Sequence, residues 1–157
     1  MELERALEAA IRLRDAIASE IAGARGARQL LRTLDSDGLF ARAAQRAAFL
    51  ADVASLERSL AAALARAAGV LGIPEVTLDR LRALASVPAA RLADVLSEAR
   101  AMAGALQEID RLNLELARRA MAVVRGYVEA VRPTPRTYDR FGARTTTPAL
   151  ALVSSQG

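Results

Sequence analysis

Histidine, cysteine, lysine and tryptophan are all missing from the 157 residues. Without imidazole or thiol there is no general base of the usual kind, no thiolate nucleophile, no disulfide and no zinc site with nitrogen or sulfur ligands. A Gly-rich phosphate loop, a G-x-S-x-G elbow and a P-loop are equally lacking. The expectation is a protein that is not an enzyme and carries no metal or cofactor. Aromatics are scarce, confined to Phe40, Phe49, Phe141, Tyr127 and Tyr138. Strand formers never gather into an alternating run, which argues against sheet. Met1-Glu2-Leu3-Glu4-Arg5 opens with acids, unlike a secretory signal. Apolar runs such as Leu60 to Ala65 are far too short to cross a bilayer. A soluble, cytoplasmic chain without a transmembrane segment is expected.

What is present is alanine, leucine, arginine and glutamate, the composition of closely packed long helices. The chain is organised around the stretch from Pro88 to Arg132. Leu92, Val95, Ala99, Met102, Leu106, Ile109, Asn113, Leu116, Ala120, Val123 and Tyr127 follow one another at alternating spacings of three and four. That heptad period keeps one stripe of a helix against a partner. Asn113 alone breaks the apolar seam. Charges sit off it and pair at helical spacing, as Glu108 does with Arg111 and Glu115 with Arg118 or Arg119.

Ahead of this stretch, Glu2 to about Leu34 reads as a helix on the stripe Leu3, Leu7, Ala10, Ile17 and Ile21, widened by Ile11 and Leu13. Gly23 and Gly26 predict a fray or kink near Ala24. Asp35-Ser36-Asp37-Gly38 is a capping turn. It is not a calcium loop: with Asp35 and Asp37 as ligands three and five, positions one and twelve would be Thr33 and Ala44. A second helix, Leu39 to about Leu71, carries Leu50, Val53, Leu56, Leu60, Leu64 and Leu71 on a broad face with Phe40 and Phe49 beside it. Gly69, Gly72 and Pro74 end it. Thr77 caps a short helix from Leu78 to about Ala85. Pro88 then either begins the long helix or kinks a continuous one.

Pro133-Thr134-Pro135 stops the long helix. The residues beyond have no periodic stripe and predict a disordered tail, with an aromatic-bearing turn at Tyr138 to Gly142 and an apolar run at Pro148 to Val153. The fold expected is all-α, an elongated antiparallel three-helix bundle or coiled coil over residues 1–132, with a flexible basic tail over 133–157.

All 22 basic residues are arginine, which a high-GC genome accounts for together with the alanine content. The charge is unevenly placed. Seven arginines from Arg118 to Arg144 face only Glu129 and Asp139, a local +5 within a net +4, so the rest sums to −1. An acidic partner or a phosphate backbone would suit that end, but aromatics for base stacking are too few to favour nucleic acid. Asp94, Glu98, Glu108 and Asp110 lack the histidines of a di-iron bundle and read as a solvated face. Asn113 either sets register by pairing with its counterpart in a dimer or faces a gap and binds water or a neighbouring carbonyl. The latter suits an intramolecular bundle. From Leu116 to Val131 the apolar residues, among them Val123, Val124, Tyr127, Val128 and Val131, spread beyond one stripe. Such width either packs on the first helix or stays open to an amphipathic helix of a partner.

The order of these features resembles the flagellar export chaperones of the FlgN type. The resemblance is carried by the turn Leu34-Asp35-Ser36-Asp37-Gly38-Leu39 after a leading helix and by Thr77-Leu78-Asp79-Arg80-Leu81 after the second. It is also carried by Leu112-Asn113-Leu114-Glu115-Leu116 within the last helix and Pro135-Arg136-Thr137-Tyr138-Asp139-Arg140-Phe141-Gly142 beyond it. Arginines such as Arg46 stand in the second helix where lysine is frequent in the family. The resemblance implies binding of the C-terminal helices of hook-associated junction proteins and their delivery to the flagellar type III export gate. Carried onto this chain, the client surface would be Asn113, Leu116, Ala120, Val123, Val124, Tyr127 and Val131. Tyr138 would dock to the export gate, with Gly142 shaping its turn. The alternative is a structural coiled-coil scaffold that forms a parallel homodimer through Asn113.

Overall fold

The computed structural model describes residues 1–84 and 86–132 in full, and the backbone of 137–138 and 144–145. Among the described residues four helices follow one another: α1 (Glu2–Thr33), α2 (Ser36–Leu71), α3 (Leu78–Ala83) and α4 (Val87–Val131). A two-residue antiparallel ladder, β1 (Thr137–Tyr138) with β2 (Arg144–Thr145), comes last. The chain divides into two units, Met1–Ala120 and Met121–Gly157. Among the described residues no helix is long and apolar enough to cross a membrane.

Within the first unit the helices form an all-helical bundle. Cross-helix ion pairs and one hydrogen bond fix its directions. Glu2 meets Arg66 while Glu20 meets Arg46, so α1 and α2 run antiparallel. Arg14 meets Glu98 while Arg28 meets Asn113, so α1 and α4 run parallel. The path is therefore up, down and up again, the natural outcome of short connections between neighbours.

The α1–α2 connection is a two-residue turn. Leu34 closes α1 in the left-handed region, at φ 53°, with its N–H donated to the Leu30 carbonyl. Asp35 then caps α2 by accepting the Gly38 N–H at 3.0 Å, which starts that helix three residues ahead of the Leu39 expected from the sequence. At the other end Gly72 caps α2 at φ 65°, a conformation that glycine adopts without steric cost. Thr77 caps α3 as expected, accepting from Arg80 N. Leu84 is extended, so α3 and α4 are separate helices and Pro88 lies in the first turn of α4 rather than at a kink.

The core is built from small residues. Ala6, Ala10, Ala89 and Ala93 are fully buried beside Leu7, Leu13, Ile17, Leu60, Leu106 and Ile109. Leu81, from α3, and Leu92, from α4, are the largest fully buried side chains. Alanine lets helix backbones approach closely, and the two leucines fill what remains.

Three expectations are overturned here. No fray occurs at Gly23 and Gly26: α1 is continuous and Ala24 is buried against the bundle, tertiary packing outweighing two weak helix formers. Phe40 and Leu50, placed beside or on the packed face of α2, are exposed. That helix is so rich in alanine that several faces look apolar, and only Leu60, Ala63, Ala67 and Ala68 are buried. Tyr138 belongs to a strand paired with Arg144 rather than to a turn, in keeping with the strand preference of Thr137, Tyr138 and Thr145. The rest of the expected turn Tyr138–Gly142, most of the tail expected to be disordered and the apolar run at 148–153 lie outside the described residues.

Leu92 and Val123 share one seam but differ in burial, at 0% and 68% exposed. Leu92→Ala is expected to cost about 2–5 kcal/mol of unfolding free energy. Val123→Ala should shift it by less than about 0.5 kcal/mol. Urea denaturation followed by circular dichroism measures both, and equal losses would contradict the burial pattern.

Candidate functional site

The seam of α4 changes character along its length. Leu92, Ala99, Leu106 and Ile109 are buried, with Val95 and Met102 half-buried. Asn113, Leu116 and Ala120 are half-buried. Val123 and Tyr127 are 68% and 70% exposed. Heptad spacing thus continues for two turns after burial has ended. Val124, Val128 and Val131 are exposed as well, together with Met121. Of the residues expected at the client surface, the last four (Val123, Val124, Tyr127, Val131) present apolar side chains to solvent, and the first three are half-buried, Asn113 against α1.

A polar layer follows directly after the buried stretch. Asn113 Nδ2 donates to the Ala24 carbonyl at 2.7 Å, and its Oδ1 accepts from Arg28 Nε at 3.2 Å. Both ends of the amide are therefore satisfied within the bundle by a neighbouring carbonyl and a guanidinium, and Asn113 is held to α1. One helical turn away, Glu20 of α1 is 5% exposed although charged. It accepts from Arg42 and, at 2.6 Å, from Arg46. Arg46 reaches on to Asp110 of α4 and lies over the Phe49 ring, 5.2 Å from its centre. A chain of charges thus runs from α1 through α2 to α4. Asp110, expected on a solvated face, is part of it.

Gly23 makes room for this layer. A Cβ there would lie 2.8 Å from the Arg42 guanidinium, so the glycine that weakens α1 locally lets Arg42 lie across it towards Glu20. The adjoining hollow of about 230 Å³ is lined by Glu20, Ala24, Arg42, Arg46, Asp110 and Asn113 among others. A second, larger hollow of about 470 Å³ lies between α1 and α2, lined by residues including Ala16, Ser19, Phe49 and Asp52.

Other charges on α4 behave as surface pairs. Arg111 donates to Glu108 through Nε at 2.9 Å and Nη2 at 2.7 Å, and to Glu115 at 2.7 Å. The hydrogen bond from Arg111 holds the Glu108 carboxyl below the usual carboxylate range. Both groups are well exposed, which limits what the pair adds to stability.

Tyr138 is the residue of β1 whose Cα partner is Arg144. Gly142, expected to shape its turn, lies outside the described residues.

These features define an all-helical bundle protein whose apolar seam, among the described residues, continues into exposed side chains. More particularly, the chain belongs to the FlgN family: the family model described as FlgN protein matches residues 4–146. This is a family of flagellar export chaperones rather than of enzymes. No curated protein and no solved structure matches the chain.

The buried charge gives a direct test of the polar layer. Glu20→Ala leaves Arg42, whose side chain is only 14% exposed, without a carboxylate, and leaves Arg46 with Asp110 alone. A loss of about 2–4 kcal/mol is expected, chiefly from stranding Arg42. Substituting Asp15, whose side chain is 60% exposed beside Arg14, should cost less than about 1 kcal/mol in the same denaturation experiment.

Proposed function

We propose that this chain is a cytoplasmic export chaperone that acts by binding alone. It holds the C-terminal helices of hook-associated junction proteins along α4 and hands them to the flagellar type III export gate. The observation that carries this reading is the uncovered seam: Val123 and Tyr127 keep the spacing of a helix-packing stripe while remaining exposed. An amphipathic client helix would supply the missing partner, its own apolar stripe meeting Val123, Val124, Tyr127 and Val131. Leu116 and Ala120, already half-buried, would border the contact. Asn113 would mark its near limit, since its amide is engaged with Ala24 and Arg28. Tyr138 would address the export gate, with Gly142 turning the chain beside it. The division gives client and gate separate addresses on the chain.

The same engagement weighs against the scaffold reading. A parallel homodimer paired through Asn113 would first have to break two hydrogen bonds within the chain and leave Arg28 and the Ala24 carbonyl to find other partners.

Co-expression with the C-terminal segments of junction proteins is expected to yield a stoichiometric complex that copurifies. Tyr127→Asp, which sets a charge on the exposed seam, should abolish copurification while leaving helical circular dichroism unchanged. Tyr138→Ala should retain the complex and lose export. Client loss in that last variant would contradict the separation of the two addresses.

A further inference from the structure

Every residue from Met121 to Arg132 is exposed, and the segment is more than a client stripe. At about 100° per residue, Val123, Tyr127, Val131, Val124, Val128 and Met121 fan out over an arc of roughly 160°. One packed helix needs a stripe of only about 100°, so this arc exceeds what a single partner helix covers. Its margins are equally distinctive. Helical spacing sets Arg125 next to the Met121–Val128 edge, with Arg132 one residue past the end of α4 on the same side, and sets Arg119, one turn earlier on α4, next to the Val123 edge. Arg118 and Glu129 fall on the far side. The charges bordering the apolar arc are therefore all arginine, a side chain that can leave its stem on apolar ground and lift its guanidinium to phosphate.

We propose that this end of α4 has a second ligand, and that it lies in the plane of an anionic membrane. The valines, Met121 and Tyr127 would enter the boundary between acyl chains and headgroups, and Arg119, Arg125 and Arg132 would contact lipid phosphates along both margins. Charge complementarity selects the occupant: a wide apolar arc rimmed on each side by arginine matches a negatively charged bilayer surface better than it matches the narrow stripe of one helix. The segment would lie on the membrane rather than span it, in keeping with the hydropathy of the helix. The surface does not depend on the identity of any client, and a client seated on Val123 and Tyr127 would compete with lipid for the same side chains.

Cosedimentation of the full chain with extruded vesicles tests this. Vesicles of phosphatidylcholine with about a third phosphatidylglycerol should pull the protein down, pure phosphatidylcholine vesicles should not, and raising the salt should release it. The triple variant Arg119→Gln, Arg125→Gln, Arg132→Gln should bind more than about tenfold more weakly. The double variant Val123→Asp, Val128→Asp should lose binding, with circular dichroism confirming that each variant keeps its helix. Equal recovery with both vesicle types overturns the proposal, as does failure to sediment with either, which would leave the arc to a protein partner. Undiminished binding by the aspartate variant would also overturn it, because the arginines of residues 136–144 would then suffice without the apolar arc.

Discussion

Glu20 is the charge on which the arrangement of the three long helices turns. Almost wholly removed from water, it is tolerable only because Arg42 and Arg46 both reach it from α2. Arg46 also donates through Nη2 to Asp110 of α4, while Asn113 fastens the same level of α4 to the Ala24 carbonyl. A core made largely of alanine is a poor judge of register, since one smooth helix face slides past another at little loss. A polar layer is a strict judge: slipping any helix by a turn would strand a buried charge. The layer therefore supplies positional uniqueness where the small apolar side chains below it supply area.

Most of the architecture was legible because heptad spacing, capping residues and glycine–proline stops all pointed the same way. Asp35, Gly72 and Thr77 cap as their types require, and the limits of α1 and α4 fall within a residue of the expected Glu2 to Leu34 and Pro88 to Arg132. The polar layer was not legible for a definite reason. A charge is ordinarily solvated, so Asp110, adjacent to the seam residue Ile109, read as surface. Glu20 carried a signal that hydropathy alone discards: Leu13, Ile17, Glu20 and Ala24 keep the alternating spacing of a packed stripe, which places a carboxylate where an apolar residue belongs. Gly23 beside it was a companion signal, since its missing side chain is the space Arg42 occupies. Phe40 and Leu50 misled in the opposite direction, because α2 has too many apolar faces for pattern to choose among them. The short ladder at Thr137–Tyr138 was hidden by length, two residues being too few to show alternation.

Asn113 stands where the fully buried part of the seam ends. Before it, each seam residue through Ile109 is buried or half-buried by the chain itself, and its size is set by packing. After it, Val123 and Tyr127 keep the spacing although both are exposed, and among the described residues no packing accounts for them. Exposed valine is moreover a mediocre helix former, its branched side chain losing rotamer freedom against the preceding turn. A segment selected only for stability and solubility would replace Val123, Val124, Val128 and Val131 by alanine, glutamate or arginine, all of which occur freely elsewhere on the exposed faces of the same helix. Retaining four valines, a methionine and a tyrosine in the open carries a standing liability to aggregation. Such a sequence makes physical sense when the apolar arc spends part of its working life covered, and arginines at both of its margins keep it soluble in the intervals while limiting which surfaces can do the covering.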